Sequence, residues 1–231
     1  MPGPVMMGQH ATLPRPSVAD QVFDELQRQV LALELAPGTR ISEVEIAKTL
    51  GVSRQPVRDA FYRLSKLGFL LIRPQRATTV TLISQAAVLQ ARFIRTALEV
   101  ETVAVAATAL TKADIEALAD TLDRQRKAVE AKDRTAFHQL DDQFHHEICT
   151  RAGLGFAWDL IAGNKGHMDR VRMLSLSFAS AVALEDHQSI LEALKTRDQA
   201  LAVRMMRPHL SRITLLIERI RDDNRAWFAD D

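Results

Sequence analysis

The sequence predicts a mainly α protein: an N-terminal winged helix-turn-helix, then an all-α antiparallel helical bundle. Three observations carry that expectation. Prolines and glycines crowd the front, and after Pro74 the next proline is Pro208, so a long stretch lacks the strongest helix breaker. Within that stretch, apolar residues recur at helical spacing between short polar breaks. Ahead of it, three short helical patterns and two β-rich runs share roughly 65 residues.

Taken in order, VADQVFDELQRQVLAL forms a first helix, which LAPGTR ends. SEVEIAKTL forms a second, with Ser42 and Glu45 spaced as a capping box. GVS turns the chain into RQPVRDAFYRLSKLG, the third helix. FLLIRPQRATTVTLI then reads as two β-rich runs around a proline-containing turn. Beyond it, periodicity places helices over 84–110, 112–130, 134–151, 157–179, 182–196 and 198–222. Thr111 and Asp114 form a capping pair, and Gly153 with Gly155 ends the third of these. The expected organisation is a flexible arm (1–17), a winged helix-turn-helix domain (18–82) and a helical effector-binding and dimerisation domain (83–231).

Composition narrows the class. A single cysteine, Cys149, excludes an internal disulfide framework and fits a reducing cytoplasm. No run of roughly 18 uncharged apolar residues appears, so no membrane span is expected. The first residues lack a basic start and apolar core, so they do not read as a secretory signal. Net charge is only +1 for the chain, but the stretch 40–76 holds eight basic residues against Glu43, Glu45 and Asp59, a net +5. That concentration points to a polyanion partner.

The tract GVSRQPVRDA locates the contact. Ser53 is a good N-cap, which puts Pro56 in the first turn, where its missing N–H costs little. Arg54 and Arg58 then share one face of a helix whose free N–H groups suit a phosphate. Arginine can also fork onto guanine in the major groove. Arg73 and Arg76 flank the hairpin turn, where a wing would meet the backbone or minor groove.

The helical half carries a second pattern. Leu140, Phe144 and Ile148 mark a core-facing stripe, with Asp141 and His145 on or beside it. His187 interrupts the stripe Leu184, Leu191 and Leu194, and His209 shares one with Ala202, Met206, Ile213 and Leu216. His138 and His146 fall on a polar face with Gln139, Asp142 and Gln143. Three imidazoles and one carboxylate pointing inward from three helices suit a divalent ion, zinc first, with nickel and manganese as alternatives. A single inward histidine is more often a hydrogen-bonded core residue, so spacing alone leaves both readings open.

The tract PGTRISEVEIAKTLGVSRQPVRDAFYRLSKLGFLLIRPQRATTV closely resembles the N-terminal domain of GntR-family bacterial transcription regulators. The helical half resembles the FCD effector domain of the FadR-like subfamily, through DDQFH, EDH, RPHL and RTALE. The resemblance implies that Arg54, Gln55 and Arg58 face operator DNA and that wing residues such as Arg76 reach the adjacent minor groove. It further implies a metal held by Asp141, His145, His187 and His209, a small carboxylate effector with Arg95 as counter-charge, and a homodimer that is more often a repressor. The chain departs from the family at Val44, where an arginine is usual, and at Ala77, where a glycine is usual, so a relative's operator does not transfer. It also has Leu154 after Gly153, where an asparagine is usual. The alternatives are a metal-dependent hydrolase, since an open site could activate water, and a DNA-binding architectural protein without a sensor.

Overall fold

The computed structural model describes residues 16–73 and 76–230. The expected arm therefore lies outside the described residues, apart from Pro16 and Ser17. The head begins with α1 (Val18–Leu31), opened by a Ser17–Asp20 capping box. A short strand β1 (Arg40–Ile41) leads into α2 (Glu43–Leu50) and α3 (Arg54–Lys66). Strands β2 (Leu70–Leu71) and β3 (Thr78–Val80) form the wing. The sheet has three strands in the order β1-β3-β2, all antiparallel, with Arg40 opposite Thr79 and Leu70 opposite Val80. The hairpin was expected; β1 was not, because two residues are too few to leave a periodic signal. Val22, Leu26, Val57, Phe61, Leu64 and Phe69 close the head's core.

The body comprises α4 (Gln85–Ala109), α5 (Lys112–Glu130), α6 (Arg134–Arg151), α7 (Gly155–Ala162), α8 (Gly166–Lys195) and α9 (Gln199–Asp223). Thr111 and Asp114 do form a capping box at the start of α5. Gly153, at φ 77°, supplies the left-handed turn that ends α6. Two expected helices, 157–179 and 182–196, prove to be wrongly divided. The break falls at 163–165, and α8 runs on for 30 residues because nothing between Gly166 and Lys195 interrupts it. Leu118, Phe137, Phe144, Ile190, Leu194 and Met206 fill the core of the bundle.

Head and body are fastened at the linker. Arg170, fully buried on α8, donates to the carbonyls of Thr81 (2.8 Å) and Leu82 (3.3 Å). Ile83 pairs in parallel with Phe228: Ile83 N donates to Trp227 O at 2.8 Å, and Ala229 N donates to Ile83 O at 2.9 Å. Ile83, Met168, Val171, Ile217 and Phe228 bury this junction in an apolar cluster of its own. The ring of Phe69 lies against Gly166 and 5.4 Å from the ring of His167. Among the described residues no helix is long and apolar enough to cross a membrane.

Candidate functional site

The head presents α3 with its polar side outward. Arg54, Gln55 and Arg58 are exposed, while Val57, Ala60, Phe61 and Leu64 of the same helix are buried. Both arginines lean on Glu43 of α2 at 3.4 Å. Exposed pairs this long are weak, so either guanidinium can exchange Glu43 for a phosphate or a base edge. Two details differ from expectation. Ser53 is the N-cap of α3, but its hydroxyl makes no capping bond. Ser42 caps α2 by accepting from Val44 N, without the reciprocal bond from Glu45. Pro56 does sit in the first turn of α3. Arg73 and Arg76 are exposed beside the wing turn, where Arg76 N donates to Arg73 O at 3.3 Å.

The inward histidines meet. His145 and His187 are buried, His209 is nearly so, and all three offer Nε2 to a common point. The Nε2 of His209 lies 3.1 Å from that of His145 and 3.3 Å from that of His187. Each ring's other nitrogen faces an acceptor. Nδ1 of His145 is 2.5 Å from Glu99 Oε2, Nδ1 of His187 is 2.8 Å from Gln125 Oε1, and Nδ1 of His209 is 3.2 Å from Asp186 Oδ2. The Gln125 amide is oriented by its own bond to Leu140 O at 2.9 Å, so oxygen faces the imidazole. Acceptors at Nδ1 of His187 and His209 place the proton there and turn their Nε2 lone pairs toward the common point, whereas Glu99 lies close to His145 Nδ1 without hydrogen-bond geometry. Such crowding of lone pairs is unfavourable unless a cation sits among them. Burial, reinforced by the neighbouring His209 charge, holds His187 well below its ordinary pKa. Burial likewise lowers His209, against the raising effect of Asp186. Both rings are therefore neutral ligands at neutral pH.

Asp141 stands beside this cluster. One oxygen is 3.6 Å from His187 Nε2, and the other accepts a very short bond from Arg172. Burial pushes its pKa up, but the Arg172 guanidinium outweighs that and holds it well below the usual carboxylate range. The ion-pair partner of Asp141 is thus Arg172. Arg95 is buried and donates to Glu99 through Nε, while its Nη2 has no acceptor among the described residues. A partly open cavity of about 70 Å³ is lined by Arg95, Asp141, Arg172, Ser175 and His209. The residues fit a divalent ion: three pre-oriented nitrogens, one adjacent carboxylate, and a partner behind each imidazole.

Of the remaining histidines, His146 is exposed as expected, but His138 is half-buried near Asp142 and Asp169. Those carboxylates are already occupied by Lys165 (2.6 and 2.5 Å) and Arg172 (3.1 and 3.2 Å). Sequence reasoning missed Arg172, Gln125 and Asp186. Glu99 was visible beside Arg95 in RTALE, but its contact with His145 was not.

Comparison with known proteins identifies the family. Residues 18–80 match the model of bacterial regulatory proteins of the gntR family, and residues 90–212 match the FCD domain. The chain belongs to the GntR family, in its FadR-like subfamily with an FCD C-terminal domain. It is similar to the HTH-type transcriptional repressor RspR of Escherichia coli K12, with 38% identity covering 94% of this chain and 96% of that one. It is also 30% identical to a probable D-xylose utilization operon transcriptional repressor of Paenarthrobacter nicotinovorans, over 86% of this chain and 88% of that protein. Among solved structures, E. coli McbR/YncC superposes with a TM-score of 0.77 at 25% identity, covering 88% of this chain and 99% of that one. A GntR regulator from Rhodococcus sp. RHA1 shares the fold at 0.75 and 20% identity, covering 87% and 98%. This GntR/FCD protein is a DNA-binding transcription regulator and not an enzyme, which removes the hydrolase alternative. Its buried histidine triad could hold a metal ion.

Proposed function

We propose that this GntR/FCD regulator is a metal-dependent, ligand-responsive repressor acting as a homodimer. Two heads bind a short pseudo-palindromic operator, with Arg54, Gln55 and Arg58 reading the major groove and Arg73 and Arg76 gripping DNA through the wing. Zinc is the first choice of metal, with nickel or manganese as alternatives, and its ligands are Asp141, His145, His187 and His209. The ion supplies a Lewis-acidic anchor, and Arg95 a counter-charge, for a small carboxylate effector. Binding shifts operator affinity to the extent that the effector prefers one arrangement of the heads.

The observation that carries this reading is the convergence of three Nε2 atoms, two of them on rings whose Nδ1 is held by an acceptor and the third on a ring beside Glu99. The repressor sign rests on RspR and the xylose-operon relative, both named repressors. The test pairs two variants with elemental analysis of untagged protein and an operator mobility-shift assay. His187→Ala should lose the metal and the effector response while keeping operator binding. Arg54→Ala should lose specific operator binding while keeping the metal. A metal-free wild type, stable and indifferent to chelator, would leave a DNA-binding protein without a sensor.

A further inference from the structure

We infer that the effector is a compact monocarboxylate with an apolar body, rather than a sugar acid or a dicarboxylate. The inference rests on the sensing reading above and concerns what else the cavity can satisfy.

Most polar groups in the cavity are already committed. Arg172 donates to Asp141, Asp142 and Asp169. Arg212 donates to both oxygens of Asp186 at 2.5–3.0 Å, and Asp186 also faces His209 Nδ1. Ser175 donates to the Arg172 carbonyl at 2.8 Å. Nη2 of the buried Arg95 is the one buried donor in the lining with no acceptor among the described residues. One ligand oxygen can meet it while the metal takes another. The rest of the wall is hydrocarbon: Leu176, Ala179, Ala183, Leu210, Ile213 and Leu216. Each hydroxyl of a sugar acid placed against that wall would be left without a partner, at the desolvation cost of an unmade hydrogen bond.

Charge gives the same answer. The connected cluster around the site contains the cations Arg95, Lys165, Arg172 and Arg212. It contains the carboxylates Glu99, Asp141, Asp142, Asp169 and Asp186. Five acids against four bases leave one negative charge, and a divalent ion reverses this to one positive. A single carboxylate neutralises the site; a second would be buried with every guanidinium of the cluster already paired to a carboxylate.

Isothermal titration of zinc-loaded full-length protein with butanoate, 4-methylpentanoate, succinate and D-gluconate tests this. 4-Methylpentanoate should bind more tightly than butanoate, by about fourfold per added carbon. Both should exceed succinate and gluconate at least tenfold. Arg95→Lys, which keeps the charge beside Glu99 but lacks Nη2, should weaken both monocarboxylates at least tenfold. Ala179→Leu should weaken 4-methylpentanoate more than butanoate. Gluconate or succinate binding most tightly, with dependence on Arg95, would overturn the ligand class and leave the sensing site standing. Zinc-loaded protein that binds none of the four acids would overturn the class and the sensing reading together.

Discussion

Gln125 touches neither the cavity nor the meeting point of the histidines, yet it decides what His187 offers there. Its amide nitrogen is spent on Leu140 O, so only its oxygen is left for the imidazole. Replacing it with leucine removes both bonds at a position with no exposure. Gln125→Leu should lower metal affinity about 10- to 100-fold, read by competition with a chelating dye. The loss should appear without any change in operator affinity of the metal-loaded protein. Asp141, His145, His187 and His209 were legible in the sequence because each interrupts an apolar stripe on its own helix. Gln125, Asp186 and Arg172 were not, because a polar residue on one helix gives no sign of the imidazole or carboxylate it meets on another. Glu99 lay between, four residues after Arg95, with its second partner invisible.

At the level of the element, α8 shows both the reach and the limit of periodicity. Its buried positions Leu184, His187, Leu191 and Leu194 are spaced as expected, but the stripe does not say where the helix starts. The start is set by Gly163, Asn164 and Lys165, and by contact with the head. A β-carbon on Gly166 would lie 2.2 Å from Cζ of Phe69 and 3.3 Å from Leu31. Only glycine allows that approach. Gly166→Ala should destabilise the protein by about 1–3 kcal/mol, measured by denaturant unfolding, with partial recovery in a Gly166→Ala, Phe69→Leu double variant. By contrast, α5 matched expectation because a polar cap, Thr111 with Asp114, marks its start in the sequence itself.

Across the whole molecule, head and body meet over ionisable groups that burial has displaced. His167, between Phe69 and Arg170, is pushed down to about 4 from an ordinary 6.5, by burial first and the Arg170 charge second. The unfolded chain therefore binds this proton more readily than the folded one. Its contribution to stability is complete above pH 6.5 and falls away as the pH drops toward 4. Burial lowers Arg170 to about 10, which leaves it charged throughout that range. His167→Gln should flatten the acid limb of a stability–pH curve by about 1–2 kcal/mol between pH 6.5 and 4. The measurement is made on metal-free protein, where His187 and His209 contribute with the same sign in both variants. An unchanged limb would show that the head–body contact bears none of the acid sensitivity.

The pairing of Ile83 with Phe228 joins the hinge between the two domains to residues synthesised some 145 positions later. During translation the head's own contacts are all available once Val80 has emerged, because its core draws only on earlier residues. The hinge has no such independence: both of these backbone bonds of Ile83 must wait for Trp227 and Ala229 to leave the ribosome. A nascent chain thus passes through an interval in which a folded, positively charged DNA-binding head swings on an unclasped tether. The clasp is thus among the last contacts of the chain that can form.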